Sequence, residues 1–213
     1  MDFKEKLQLL QTEIRRFSVS PHPITVICIS KGVSIDKMQE AYDAGLRHFG
    51  ESRLQEALEK QKKMPSDVIW HFIGPIQSNK ARKIAEHFSF IHSLCSLNVA
   101  EIFSKVAQSL NKKISCFIQV NVASAMQQHG VSIENLPYFI YQVKSLPGIE
   151  IQGFMALAPH TLDAKEIRSS FHILSSIQKK WSYPYLSMGM SHDYPLALLE
   201  GSTHIRIGSY FFK

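Results

Sequence analysis

Lys31 ends the run Ile24-Thr-Val-Ile-Cys-Ile-Ser-Lys31, so a β-branched, apolar strand delivers one primary amine to its carboxyl end, just before Gly32. A lysine partly desolvated at a sheet rim has its ammonium disfavoured, and the neutral amine can add to an aldehyde to form a Schiff base. The alternative for Lys31 is a solvated rim lysine that caps the sheet. A second set of candidates lies near the end of the chain, in Tyr185-Leu-Ser-Met-Gly-Met-Ser191 and Thr203-His-Ile-Arg-Ile-Gly-Ser209. Ser191 and Ser209 offer hydroxyls, while Gly189 and Gly208 let backbone N–H groups come close to an anion, as a phosphate requires. Gly and Ser in such places otherwise mark turns alone.

The elements that must hold these groups alternate strand and helix from end to end. Apolar positions at Phe3, Leu7, Leu10, Ile14 and Phe17 predict an opening helix over residues 2–17, broken by Pro21 and Pro23 before the Ile24 strand. Strands are then expected at 48–52, 68–74, 90–94, 114–121, 149–156, 185–191 and 203–208. Helices are expected between them at 34–42, 54–63, 77–87, 97–110, 133–146, 164–181 and 196–199. About eight strands, each followed by a helix, predict an α/β chain closed into a single (β/α)8 TIM-type barrel with an extra N-terminal helix. A domain spanning residues 1–213 accommodates it. The competing open sheet normally shows a Gly-rich phosphate loop after its first strand, and Lys31-Gly-Val-Ser34 is neither G-x-G-x-x-G nor a Walker pattern.

Closure makes strand one a neighbour of strand eight, which sets Lys31 across the barrel mouth from the Ser191 and Ser209 end. Pyridoxal 5′-phosphate spans such a gap, with its aldehyde on Lys31, its phosphate at the Ser/Gly end and its ring nitrogen facing Arg206. An arginine only donates, so it would leave that nitrogen unprotonated. A rim ion pair with Glu51 or Asp193 is the other reading of Arg206.

Other function classes find less support. The net charge of +6 suits phosphate-bearing ligands, yet the basic residues are scattered and no nucleic-acid motif appears. Gln77-Ser-Asn-Lys-Ala-Arg-Lys83 reads as a solvated helix start. Ten histidines include no metal-binding spacing, so no metal is expected. His71 alternates with Trp70 and Phe72, which aims it at the barrel interior as a hydrogen-bonded core residue. Cys28, Cys95 and Cys116 form no CxxC pair and read as reduced thiols of a cytoplasmic protein. No apolar run approaches ~18 residues and the opening Met1-Asp-Phe-Lys-Glu-Lys6 is charged, so neither export nor membrane insertion is expected.

Several separated stretches resemble the pyridoxal phosphate homeostasis proteins, the YggS/PROSC-type family related to the N-terminal barrel of alanine racemases. They are Val26-Ile-Cys-Ile-Ser-Lys31, Ala44-Gly-Leu-Arg-His-Phe-Gly-Glu51 with Gln55-Glu56, Trp70-His-Phe-Ile-Gly-Pro-Ile-Gln-Ser-Asn-Lys80, Ile91-His-Ser93, Gln119-Val-Asn121, Gly153-Phe-Met-Ala156, Leu186-Ser-Met-Gly-Met-Ser191 and Gly201-Ser-Thr-His-Ile-Arg-Ile-Gly208. The resemblance implies pyridoxal 5′-phosphate on Lys31, phosphate contacts from Ser191, Gly208 and Ser209, and a ring-nitrogen contact from Arg206. It also implies a role in intracellular vitamin B6 and amino-acid homeostasis without appreciable catalysis. Departures from the family pattern are Ser52 for an asparagine, Cys95 for an acidic residue, and Gln128-His-Gly130 in a loop that usually carries lysine. Ser52 shortens reach towards the cofactor, which bears on affinity.

The expectation is therefore a monomeric cytoplasmic carrier of pyridoxal 5′-phosphate, with apo enzymes that depend on this cofactor as recipients. The enzyme-class rival is an amino-acid racemase, which needs two bases on opposite faces of the substrate. Racemases of the related fold take the second base from a C-terminal β-domain, and this sequence stops just after strand eight. The remaining rival, an RNA-binding module, lacks an aromatic-plus-arginine platform.

Overall fold

Short Val, Ile and Phe runs, apolar on both faces, form a parallel sheet that must be covered inside and out. In the computed structural model, which describes residues 1–122 and 129–213, eight such strands close on themselves in sequence order. They are β1 (Thr25–Ile29), β2 (His48–Glu51), β3 (Ile69–Phe72), β4 (Phe90–Leu94), β5 (Ile114–Gln119), β6 (Ile149–Met155), β7 (Tyr185–Met190) and β8 (His204–Ile207). Closure is made by β1, which pairs with β2 through Cys28 and Phe49 and with β8 through Ile27 and Arg206. The (β/α)8 barrel expected from the alternation is thus the architecture found.

The helices are α1 (Phe3–Phe17), α2 (Ile35–Asp43), α3 (Leu54–Gln61), α4 (Ser78–His87), α5 (Leu97–Ser109), α6 (Leu136–Lys144), α7 (Ala164–Trp181), α8 (Tyr194–Leu199) and α9 (Ser209–Phe212). The extra helix α1 starts on a capping box, in which the Asp2 carboxylate accepts from the Glu5 amide at 2.7 Å and Glu5 accepts from the Asp2 amide at 2.9 Å. Its ring Phe3 stacks on Phe211 of α9 with centroids 4.6 Å apart, and Lys6 Nζ donates to the Phe211 carbonyl at 2.8 Å. The opening helix therefore braces the turn that follows β8.

Outward side chains such as Phe49, Phe72, Ile91, Phe154 and Leu186 are buried under the helices. Inward ones fill the barrel by stacking: His92 lies on Phe117 with centroids 4.4 Å apart, and His71 on Phe90 at 4.9 Å. Gly50 leaves room for two inward neighbours, since a Cβ there would lie 2.6 Å from Ile29 Cδ1 and 2.9 Å from Ile27 Cγ2. With Ile27 and Ile29 facing inward, β1 runs to the end of the barrel at which the turn bearing Lys31 follows.

The differences from the sequence reading are local. β1 stops at Ile29, because the Val33 amide bonds back to the Ser30 carbonyl at 2.9 Å and turns the chain at Gly32, whose φ is +69°. α6 begins three residues later than expected, at Leu136, and α8 begins earlier, with Pro195 in its first turn. Residues 123–128, which include Gln128, lie outside the described part. Among the described residues no helix is long and apolar enough to cross a membrane.

Candidate functional site

Lys31 lies in the turn beyond β1, and its side chain is exposed. The expected desolvation is therefore not present; the amine is delivered by the turn, and burial does not act on it. The turn itself is tightly held. The Lys60 ammonium of α3 donates to the Ser30 carbonyl at 2.5 Å, to Glu51 Oε1 at 2.8 Å and to Glu56 Oε1 at 2.5 Å. Glu56 Oε1 also accepts from the Gly32 amide at 2.6 Å, and Ser30 Oγ donates to Glu51 Oε1 at 2.7 Å. Burial raises the pKa of Glu51, opposed by the Lys60 and Ser30 hydrogen bonds, whereas the Lys60 hydrogen bond holds Glu56 below the usual carboxylate range.

Arg206 is 3% exposed and faces the interior. Its guanidinium donates to the Ser187 carbonyl and hydroxyl, both at 2.8 Å, and to the Ala156 carbonyl at 2.9 Å. Neither ion pair considered from the sequence forms: Glu51 is paired with Lys60, and the Asp193 carboxylate accepts from the Met190 amide. Burial pushes the Arg206 pKa down to about 10, which leaves it charged at neutral pH.

From Ser187 a hydrogen-bonded chain crosses the barrel. Ser187 Oγ is 2.8 Å from His92 Nδ1, His92 Nε2 is 2.8 Å from His71 Nδ1, and His71 Nε2 is 2.9 Å from His48 Nδ1. Burial holds the pKa of both His71 and His92 well below the ordinary value, and lowers that of His48, so the three rings are neutral. Arg206 can only donate. The tautomers that satisfy every group therefore have Ser187 donating to His92, His92 to His71 and His71 to His48. This chain fixes the Ser187 oxygen as an acceptor for Arg206.

The other end of the site lies on β7 and β8. Ser191 Oγ accepts from the Gly208 amide at 3.1 Å and the Tyr210 amide at 3.3 Å, so two backbone donors converge on one oxygen. Ser209 is half-buried and opens α9. The pairing of β7 with β8 slips between Ser187 and Met190, and Gly189 takes up the slip with φ +93°. A Cβ there would lie 2.6 Å from Ala197 Cβ and 3.0 Å from Tyr194 Cα, which shows how closely α8 packs on the bulge. A cavity of about 910 Å³, lined in part by Leu157, His160, Met190 and His192, adjoins this rim.

The structure thus sets Lys31, Ser191, Gly208 and Ser209 just beyond the carboxyl ends of the adjacent strands β1, β7 and β8, with Arg206 on β8 itself. His71 is the inward, hydrogen-bonded histidine expected from the sequence, whereas roles for Lys60, Glu56, Ser187, His48 and His92 were not read there. The available signals were the four-residue spacing of Glu56 and Lys60 on one helix, and histidines at inward positions of three successive strands. Among the described residues no cluster of His, Cys, Asp and Glu could hold a metal ion.

The profile of the alanine racemase N-terminal domain matches residues 11–213 of this closed parallel barrel. Within that domain class, the chain belongs to the pyridoxal phosphate homeostasis protein family. It is 36% identical over 200 residues to the pyridoxal phosphate homeostasis protein of Synechocystis sp., covering 90% of this chain and 92% of that protein. The Pseudomonas aeruginosa member is 38% identical over 195 residues, covering 90% and 85%. Among solved structures it is similar to PipY of Synechococcus elongatus at 35% identity, with all of both chains covered and a TM-score of 0.89 without PLP and 0.86 with PLP bound. Alanine racemase of Clostridium difficile, at 12% identity and a TM-score of 0.72, shares the fold over 56% of its own chain.

Proposed function

We propose that this chain binds pyridoxal 5′-phosphate reversibly at the barrel mouth and takes part in vitamin B6 and amino-acid homeostasis as a carrier. The observation that carries the reading is the convergence of the Gly208 and Tyr210 amides on Ser191 Oγ, on the strands next to the one that presents Lys31. A phosphate oxygen is the same kind of acceptor as that hydroxyl, so these donors suit a phosphate with Ser191 and Ser209 beside it. Relatives named as pyridoxal phosphate homeostasis proteins, and a similar structure with PLP bound, support the same ligand.

When bound, this cofactor supplies an aldehyde that condenses with amines and a ring that accepts electrons. Lys31, through its neutral amine, would hold the cofactor by condensation with that aldehyde, releasing water, in a linkage that water could reverse. Anchoring the phosphate makes this attack effectively unimolecular, which compensates for an exposed amine. Arg206, charged and able only to donate, would meet the ring nitrogen as a donor and leave it unprotonated, which would make the ring a weak electron sink. That favours holding the cofactor over using it.

Recipients are apo enzymes that need the cofactor, and the working form is a monomer in the cytoplasm, a compartment that suits three free cysteines. The test is enantiomer conversion and α-proton exchange of alanine and other amino acids by the cofactor-loaded protein, against an equal concentration of free cofactor. Rates near the control support a carrier. Conversion orders of magnitude faster, abolished by Lys31→Ala, establishes the racemase-like alternative.

A further inference from the structure

We infer that Glu56 and Lys60 of α3 are positioning residues for Lys31, an inference that rests on the reading of Lys31 as the Schiff-base lysine. Two peptide groups flank that residue. The carbonyl of the first, on Ser30, accepts from Lys60 Nζ at 2.5 Å; the amide of the second, on Gly32, donates to Glu56 Oε1 at 2.6 Å. The two holding side chains are themselves paired at 2.5 Å, one helical turn apart. Both ends of the Lys31 backbone are therefore gripped by one ion pair from a neighbouring helix, and the four groups form a closed ring around a single residue.

The grip is anchored below. Lys60 is 6% exposed and also pairs with Glu51, which is fully buried and accepts from the Ser30 hydroxyl. Hydrogen bonds between charged groups and backbone are among the stronger ones available, and burial shields them from water. A turn containing a left-handed glycine and an exposed lysine would otherwise sample many arrangements. With φ and ψ of Lys31 fixed from both sides, the amine starts each attack from one direction. The clamp acts on the backbone and makes no contact with the phosphate end, so its contribution belongs to the covalent step alone.

That separation gives the test. Pyridoxal 5′-phosphate and pyridoxine 5′-phosphate share the ring and phosphate, but the second has an alcohol in place of the aldehyde and forms no Schiff base. Both affinities are measured for the wild type, Glu56→Ala, Glu56→Gln and Lys31→Ala. Glu56→Ala is expected to weaken the aldehyde form about tenfold and leave the alcohol form unchanged, since an ångström-scale misplacement of a reacting group costs this much or more. Glu56→Gln, which still offers an oxygen to Gly32, should recover most of the loss. Equal weakening of both ligands means a role in folding only and overturns the inference, as does no change in either. A yellow lysine-bound band that survives Lys31→Ala contradicts the assignment of Lys31 itself, a separate failure. Hydrogen exchange on the intact wild type provides a check independent of any variant: the Gly32 amide should exchange slowly, and exchange at the rate of a free turn overturns the clamp.

Discussion

Arg206 carries its charge into a barrel interior lined by neutral imidazoles, and the residues around it determine what it can do there. Three hydrogen bonds go from its five N–H donors to Ser187 and Ala156, and the histidine chain keeps Ser187 accepting from it. Arg206→Glu should replace a donor with a group able to stabilise a protonated ring nitrogen, and the absorption spectrum of the bound cofactor should shift. A bound cofactor with an unchanged spectrum contradicts the ring-nitrogen contact. The imidazoles also predict a pH dependence of stability. His71 and His92 are held well below 6.5 and His204 is pushed down to about 3, in each case mainly by burial. As the pH falls below 6.5 the unfolded chain takes up protons that the folded one refuses, so stability falls with falling pH, by up to about 1.4 kcal/mol per pH unit for each of these histidines. Urea unfolding between pH 6.5 and 5 should show this slope in the cofactor-free protein, and it should become shallower by about one proton in His204→Gln. A flat profile contradicts neutral, buried imidazoles.

At the scale of elements, α3 and the β7 bulge determine the shape of the site. Lys60→Met leaves the fully buried Glu51 without its ion-pair partner, and breaking a buried pair on one side costs roughly 3–5 kcal/mol. The double replacement Glu51→Gln with Lys60→Met should cost much less, a difference that denaturant midpoints measure directly. Gly189→Ala asks an L-residue to adopt φ +93° while its Cβ presses on Ala197, so about 1–3 kcal/mol of destabilisation is expected, together with weaker phosphate binding as α8 and Ser191 shift. The alternation of strands and helices was legible because each strand is a short apolar run and each helix keeps its periodicity. The mouth was legible because in a closed barrel the strand order fixes which ends are neighbours. The clamp on Lys31 was not, since Glu56 and Lys60 resemble any solvated helical pair until α3 is laid against the turn after β1. α9 was hidden for a different reason: Ser209-Tyr-Phe-Phe212 is too short to show a period, and its burial comes from Phe3 at the far end of the chain.

For the whole molecule, closure of the barrel is what assembles these residues at one rim. Lys31 and Gly208 are separated by nearly the full chain, and only the pairing of β1 with β8 brings them to the same rim. The extra helix α1 reinforces that junction through Phe3 and Lys6, so shortening the chain at α1 should loosen the phosphate end before it affects Lys31. The central claim is that the cofactor is held covalently and reversibly on Lys31, and trapping tests it most directly. The protein is incubated with pyridoxal 5′-phosphate, reduced with borohydride, which converts the C=N bond to a stable C–N bond, and mapped by peptide mass spectrometry. The account predicts the reduced adduct on the peptide containing Lys31 and no other at stoichiometric cofactor, and its loss when the sample is dialysed against excess free amine before reduction. An adduct spread over surface lysines, or one equally abundant in Lys31→Ala, contradicts it.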